Sequence, residues 1–311
     1  MAFTLYYGEE LGRYSFGGGH PFGPDRLDAF WRETCDRGVD SRVDIGPPAT
    51  CTEEDLLRFH TGEYVARVRA QSKTGTGLLD YGDTPAFPGV YEATACVVGT
   101  GLAATRQLLD NGGRAFIPIA GLHHARRDRA GGFCVFNDIG VIVETLRAIH
   151  GVRRIAYVDI DAHHGDGVYY SFADDPLLFI ADLHEDGHYL YPGTGAATET
   201  GTGDAVGTKL NIPLPPNADD DRFRDEWPRV EEFLHAARPE FIILQAGADS
   251  ILGDPITHLA LSPASHRLAA ERLRVLADEY CDGRLLGLGG GGYNRSNLAR
   301  AWNEVVEAWL D

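Results

Sequence analysis

An apolar run, Arg154-Ile155-Ala156-Tyr157-Val158, ends abruptly in Asp159-Ile160-Asp161-Ala162-His163-His164-Gly165-Asp166-Gly167. On an extended chain side chains alternate faces, so Asp159, Asp161 and His163 are expected to point the same way. Acids and glycines also make solvated strand-to-helix turns. Clustered charge that leaves water needs a partner, however, and carboxylates beside imidazoles are metal ligands. Three other apolar runs end in comparable residues. Arg114–Pro118 leads to His123-His124, Phe241–Gln245 to Asp249, and Arg284–Leu288 through a glycine run to Tyr293.

Together these residues fit a metallohydrolase with one ion. Asp161, His163 and Asp249 supply three ligands and leave a position for water and substrate, as catalytic zinc sites do. Two carboxylates and a neutral imidazole nearly cancel the charge of a divalent ion. That weakens it as a Lewis acid, so the water needs a strong base beside it. His123 and His124 supply that base. Asp159 and Asp166 are the acids left to fix their tautomers and raise their basicity. Tyr293 can donate a hydrogen bond to the oxyanion.

The elements that must position these groups alternate along the chain. Strands are expected over 114–118, 154–158, 177–183, 210–214, 241–245 and 284–288. Helices are expected over 26–37, 55–69, 92–109, 137–149, 219–237 and 263–280, and from a Ser296 cap to Trp309. Continuously apolar strands separated by helices indicate a parallel sheet covered on both faces. The expected fold is one doubly wound α/β domain over residues 1–311, with a central, mostly parallel sheet and long loops at the carboxyl ends of the strands. Sites in such sheets form at those ends. Residues 71–89 have no periodicity and read as a loop, with Asp83 as a turn residue, and His60 reads as a packing histidine.

Composition narrows the function classes. The net charge is −18, from 46 acids against 28 Lys plus Arg, and lysine occurs only at Lys73 and Lys209. An acidic surface repels nucleic acid and favours cationic partners or substrates. Cys35, Cys51, Cys96, Cys134 and Cys281 are scattered with no CxxC pair, which points to a reducing compartment. No basic-then-apolar leader and no apolar run of about 20 residues is found, so a cytoplasmic protein without membrane contact is expected. Gly287-Leu-Gly-Gly-Gly-Gly292 formally matches a dinucleotide fingerprint, but no strand follows to carry a ribose-binding acid. Asp161-Ala-His163 resembles part of the binuclear arginase signature, yet Gly165 stands where a second ion needs an aspartate.

The motifs taken together resemble the zinc-dependent histone deacetylase family, including its prokaryotic members named for acetoin utilisation and acetylpolyamine hydrolysis. The resemblance rests on Gly19-His-Pro21, Gly82-Asp-Thr-Pro85, Gly121-Leu-His-His-Ala125 and Gly132-Phe-Cys-Val-Phe-Asn-Asp138. It continues through Tyr157–Gly167, Tyr191-Pro-Gly-Thr-Gly195, Gln245-Ala-Gly-Ala-Asp249 with Gly253-Asp-Pro255, and Leu288–Tyr293, in the family's order. It implies an arginase/deacetylase-like fold, one zinc ion on Asp161, His163 and Asp249, and His124 as general base and acid partnered by Asp166. His123 matches the second histidine, partnered by Asp159, and Tyr293 the tyrosine that polarises the scissile carbonyl.

The resemblance further implies an acyl-lysine tunnel walled by Gly132, Phe133 and Tyr191, with Ile256 near the rim and Asp83 as a rim acid holding substrate. It implies one or two potassium ions bound mainly by backbone carbonyls. The inner site would use Asp159, Asp161, His163, Asp182 and Leu183, and the outer one Phe172, Asp175, Leu178 and Thr208. The expected reaction is hydrolysis of acetyl-lysine in proteins, with acetylpolyamines as the alternative substrate. A non-catalytic acyl-lysine or polyamine sensor is the rival of another class.

Overall fold

Eight strands pair in parallel among residues 2–310, the part of the chain that the computed structural model describes. The single domain expected over 1–311 also includes Met1 and Asp311, which lie outside the described residues. The strands are β1 (Phe3–Tyr6), β2 (Asp44–Gly46), β3 (Arg114–Ile117), β4 (Ile155–Asp159), β5 (Leu178–Glu185), β6 (Lys209–Leu214), β7 (Phe241–Gln245) and β8 (Leu285–Leu288). Their order across the sheet is β2-β1-β3-β8-β7-β4-β5-β6, and every pairing is parallel. The four strands expected to end in reactive residues are therefore consecutive neighbours, β3-β8-β7-β4. One register row crosses the sheet through Ile117, Leu288, Gln245, Asp159, Asp182 and Asn211. At that row the central strands change from apolar core to polar site.

Ten helices accompany the strands among the described residues: α1 (Glu9–Gly12), α2 (Asp25–Asp36), α3 (Glu53–Leu56), α4 (Gly62–Thr74), α5 (Val90–Asn111), α6 (Asp138–Ala148), α7 (Asp166–Ser171), α8 (Asp220–Ala237), α9 (Pro263–Tyr280) and α10 (Arg295–Leu310). Helices α2, α9 and α10 pack together, and α9 and α10 lie on the sheet, as does α5, which packs with α4 and α6. Trp302 of α10 lies against Phe30 and Phe116 with ring centroids 5.8 and 6.5 Å away. Its indole Nε1 donates to the Ala246 carbonyl at 3.0 Å, so the same side chain fills the core and fixes the backbone just beyond β7.

Three local expectations are corrected. The helix expected over 55–69 is two helices: Thr52 and Asp55 form a capping box for α3, and Thr61 caps α4, which runs on to Thr74. The last helix is not capped by Ser296; Asn294 accepts from the Ser296 and Asn297 amides at 3.1 and 3.2 Å. Strands β1 and β2 went unexpected because four and three residues in a glycine- and proline-rich segment show no usable alternation.

The amino end of α6 clamps the loop that carries the histidine pair. Asn137 caps the helix by accepting from Gly140 N at 2.8 Å, while its Nδ2 donates to the Ala125 carbonyl at 2.8 Å. The buried Asp138 carboxylate accepts from the Gly121 and Leu122 amides, both at 2.7 Å. Asn137→Ala removes the cap and leaves a buried carbonyl unpaired. It should lower stability by about 2–4 kcal/mol, read from the denaturant midpoint at unchanged slope.

Candidate active site

The turn after β4 folds back on itself through hydrogen bonds to its own acids. The strand ends at Asp159, so the strict alternation expected through His163 stops there and a bend carries residues 160–165. Asp159 Oδ1 accepts from the Asp161 amide at 3.1 Å, and Asp161 Oδ1 from the His163 amide at 3.0 Å. Across the site, Asp249 Oδ1 accepts from the Ala162 amide at 2.8 Å. These bonds leave the His163 Nδ1 atom 3.0 Å from Asp161 Oδ1 and 3.1 Å from Asp249 Oδ2.

Asp161, His163 and Asp249 thus form a buried group in which one ligand atom from each lies within 4.8 Å of the others. Burial and the Asp161 charge push the Asp249 carboxyl up to about 7. Burial disfavours a charged His163, yet its hydrogen bonds to Asp161 and Asp249 pull its pKa up to about 10. Both shifts express one demand: two carboxylates held out of water favour positive charge between them. A divalent cation meets that demand, and the Asp-His-Asp donor set fits one.

The two remaining acids each hold a histidine. His123 Nδ1 lies 2.8 Å from Asp159 Oδ2, and His124 Nδ1 lies 2.7 Å from Asp166 Oδ1. A carboxylate at Nδ1 fixes the proton there and leaves Nε2 as the basic atom. The two Nε2 atoms are 3.1 Å apart. Burial and the neighbouring His123 push His124 down to about 4, which keeps its imidazole neutral and able to accept a proton. Against burial, His124 and Arg126 hold Asp166 down to about 2, and the Arg126 guanidinium lies 2.8 Å from it.

A cavity of about 280 Å³ collects the expected residues: His123, His124, Asp161, His163 and Tyr293 line it, with Asp83, Gly132, Phe133, Tyr191 and Ile256. Asp249, fully buried, is not on its wall. Phe133 has φ 66° and Gly132 φ 51°, a left-handed pair that costs a non-glycine residue energy and is a familiar mark of a functional loop. A Cβ at Gly132 would overlap the His124 ring. Burial and the charges of Asp249 and Asp161 push the Tyr293 phenol well above its ordinary value, so it is a hydrogen-bond donor at neutral pH.

Other expectations are sorted by their partners. His60 accepts from the Asn137 amide at 2.9 Å and burial pushes it down to about 3, as suits a packing histidine. His164 bonds Thr194 Oγ1 at 2.8 Å and stands outside the catalytic cluster. At the inner cation set, the Asp182 carboxylate is already engaged, by His184 Nδ1 at 2.7 Å and the Gly165 amide at 2.9 Å. The oxygens of the outer set are engaged as well. The Asp175 and Leu178 carbonyls and the Thr208 hydroxyl accept from the Lys209 ammonium, and the Phe172 carbonyl accepts from the Asp175 amide.

Two residues escaped the sequence reading. Gln245 ends β7 and donates from Nε2 to Asp161 Oδ2 at 2.9 Å, holding that carboxylate from behind. Its signal was a lone amide closing a buried apolar strand. Arg26 on α2 is fully buried and donates to the Gly292 and Gly290 carbonyls at 2.9 and 2.6 Å, shaping the glycine run before Tyr293. Nothing in a helical arginine announces that role.

Comparison with known proteins agrees with this architecture. Residues 20–309 match the histone deacetylase domain. The chain belongs to the histone deacetylase family. It is 34% identical to the acetoin utilization protein AcuC of Bacillus subtilis, over 98% of this chain and 80% of that one. It is 32% identical to the histone deacetylase clr6 of Schizosaccharomyces pombe, over 96% of this chain and 74% of that one. Among solved structures, the HDA15 HD domain superposes with a TM-score of 0.92 at 26% identity, covering 100% of this chain and 89% of that one. The all-parallel, helix-flanked sheet is the fold of this deacetylase family.

The glycine run of this family member also supports the Asp-His-Asp group. The Gly291 amide donates to Asp161 Oδ2 at 2.9 Å, and a Cβ there would collide with the Asp249 carboxylate. Gly291→Ala should therefore weaken divalent-metal affinity by about 10- to 100-fold, the range for disturbed ligand supports, measured by zinc titration against a competing chelator.

Proposed function

We propose that this protein hydrolyses the acetamide of N-acetylated amines, acetyl-lysine in proteins foremost, to free amine and acetate. The observation that carries the reading is a complete set of catalytic groups on one cavity. Two histidines, each held by its own carboxylate, face a buried Asp-His-Asp group, and a phenol stands on the same wall.

Asp161, His163 and Asp249 would hold one zinc ion, which when bound supplies Lewis-acid polarisation to the scissile carbonyl and to water. The acyl chain enters between Phe133 and Tyr191 with Gly132 beneath it, a passage that keeps bulk water from the amide. Tyr293 donates its phenolic hydrogen to the carbonyl oxygen and stabilises the charge that develops there. His124 Nε2 takes a proton from the attacking water, Asp166 compensating the charge this creates on the ring. As the C–N bond breaks, the imidazolium returns that proton to the amine nitrogen. His123, fixed by Asp159, supports the polarity of the pair. A sensor on this fold would have no use for both the histidine pair and the phenol.

Removing a single oxyanion donor typically costs on the order of 10²–10³ in rate. Tyr293→Phe should lose that much kcat in acetate release from an acetyl-lysine peptide while binding zinc as tightly as the parent. Turnover near the parent rate would remove Tyr293 from the chemistry.

At the mouth of the cavity Asp83 would attract a cationic substrate. Asp83 lies there with Asp80, Arg126, Arg129 and Tyr191, and His20 Nε2 bonds its carbonyl at 3.1 Å. Burial and the neighbouring Asp80 push the Asp83 carboxyl up to about 6. It is charged above that pH and neutral below, so attraction for a cation is lost as pH falls through 6. KM for a lysine-flanked acetylated peptide should rise about two- to fivefold between pH 7 and pH 5, the size of a half-exposed ion pair. In Asp83→Asn that pH dependence of KM should be flat.

A further inference from the structure

Lys209 is one of only two lysines in the chain, and it opens β6 with 2% of its surface exposed. Its ammonium donates to the Leu178 carbonyl at 2.6 Å, the Thr208 hydroxyl at 2.8 Å and the Asp175 carbonyl at 2.9 Å. Three donors meet three acceptors, and none of the acceptors carries a charge. The nearby Asp175 carboxylate is committed elsewhere, to the Arg147 guanidinium and to the Leu177 amide at 2.9 Å. A buried charge held by converging neutral oxygen dipoles is bound as an alkali ion is bound, rather than as half of a salt bridge.

The pocket joins two stretches of chain. Asp175 and Leu178 bracket the turn between α7 and β5, and Thr208 precedes β6, so the ammonium ties the amino ends of two neighbouring strands together. Lys209 lies on the edge strand β6, two strands from β4, and does not line the cavity of the catalytic residues. Burial pushes Lys209 down to about 8, which leaves it mostly charged at pH 7.

We propose that the Lys209 ammonium is the resident cation of this oxygen pocket, tethered to the chain, so that no free monovalent ion binds there in the native protein. Deleting the ammonium then creates a site for potassium or ammonium ion. The inference is independent of the catalytic reading, because none of these residues lines the catalytic cavity and the readout is not turnover. Its consequence is that this anchor cannot be exchanged or competed away when the ionic composition of the surroundings changes.

The test compares the native protein with Lys209→Ala, which empties the pocket, and Lys209→Met, which fills it without charge. Thermal midpoints are measured at equal ionic strength in tetramethylammonium, sodium, potassium and ammonium chlorides. Lys209→Ala should melt lower in tetramethylammonium by on the order of 5 °C. It should recover at least half of that in potassium or ammonium chloride, beyond whatever increment the native protein shows, whereas Lys209→Met should not recover. Crystals soaked in thallium(I), a potassium surrogate, should show an anomalous peak among the Asp175, Leu178 and Thr208 oxygens in Lys209→Ala and none there in the native protein. A thallium peak at those oxygens in the native protein overturns the proposal even if Lys209→Ala does not fold. So does a folded Lys209→Ala that no monovalent cation restores.

Discussion

Two carboxylates held out of water beside one imidazole are the constraint on which the rest of this structure depends. Asp161 and Asp249 come from loops 88 residues apart, yet their ligand atoms lie within 4.8 Å of each other and of His163. Left to themselves such acids repel and take up protons. The fold keeps them together by giving each oxygen a donor. Gln245 and the Gly291 amide hold one oxygen of Asp161, and the Ala162 amide holds one of Asp249. Those donors sit at the end of β7, in the loop after β8 and in the turn after β4, so the sheet itself is the scaffold of the site.

The register row through Ile117, Leu288, Gln245, Asp159, Asp182 and Asn211 makes that scaffold. Below it β3, β8, β7 and β4 are continuously buried; above it their chain turns into loops rich in glycine and acid. A parallel sheet places all such turns at one edge, so residues remote in sequence converge without any long excursion of the chain. The helices lock this edge from outside. Trp302 reaches the carbonyl after β7, and the amino end of α6 grips the loop bearing His123 and His124.

Much of this was legible in the sequence because each central strand ends in its functional residues, and an apolar run closing on acid or imidazole is visible without a structure. The order of strands was not, since nothing in residues 241–245 says that β7 slots between β4 and β8. Gln245 and Arg26 act through hydrogen bonds to backbone or carboxylate, a role that residue type alone does not reveal. The break between α3 and α4 was hidden because the run Leu56, Phe59, Tyr64 keeps helical spacing across it. Lys209 was legible only as a rarity; its ammonium bonds three of the four residues that resemblance alone assigned to an outer potassium ion.

In the proposed function the histidine pair and the Asp-His-Asp group work together, one metal ion and one proton-accepting imidazole sharing the same amide. The measurement closest to that claim is acetate release from a peptide carrying a single acetyl-lysine, followed before chelation, after complete metal removal, and during stepwise return of zinc. The account predicts that activity vanishes with the metal and returns fully at one equivalent per chain. Turnover that survives metal removal, or that returns only at two equivalents, would contradict it.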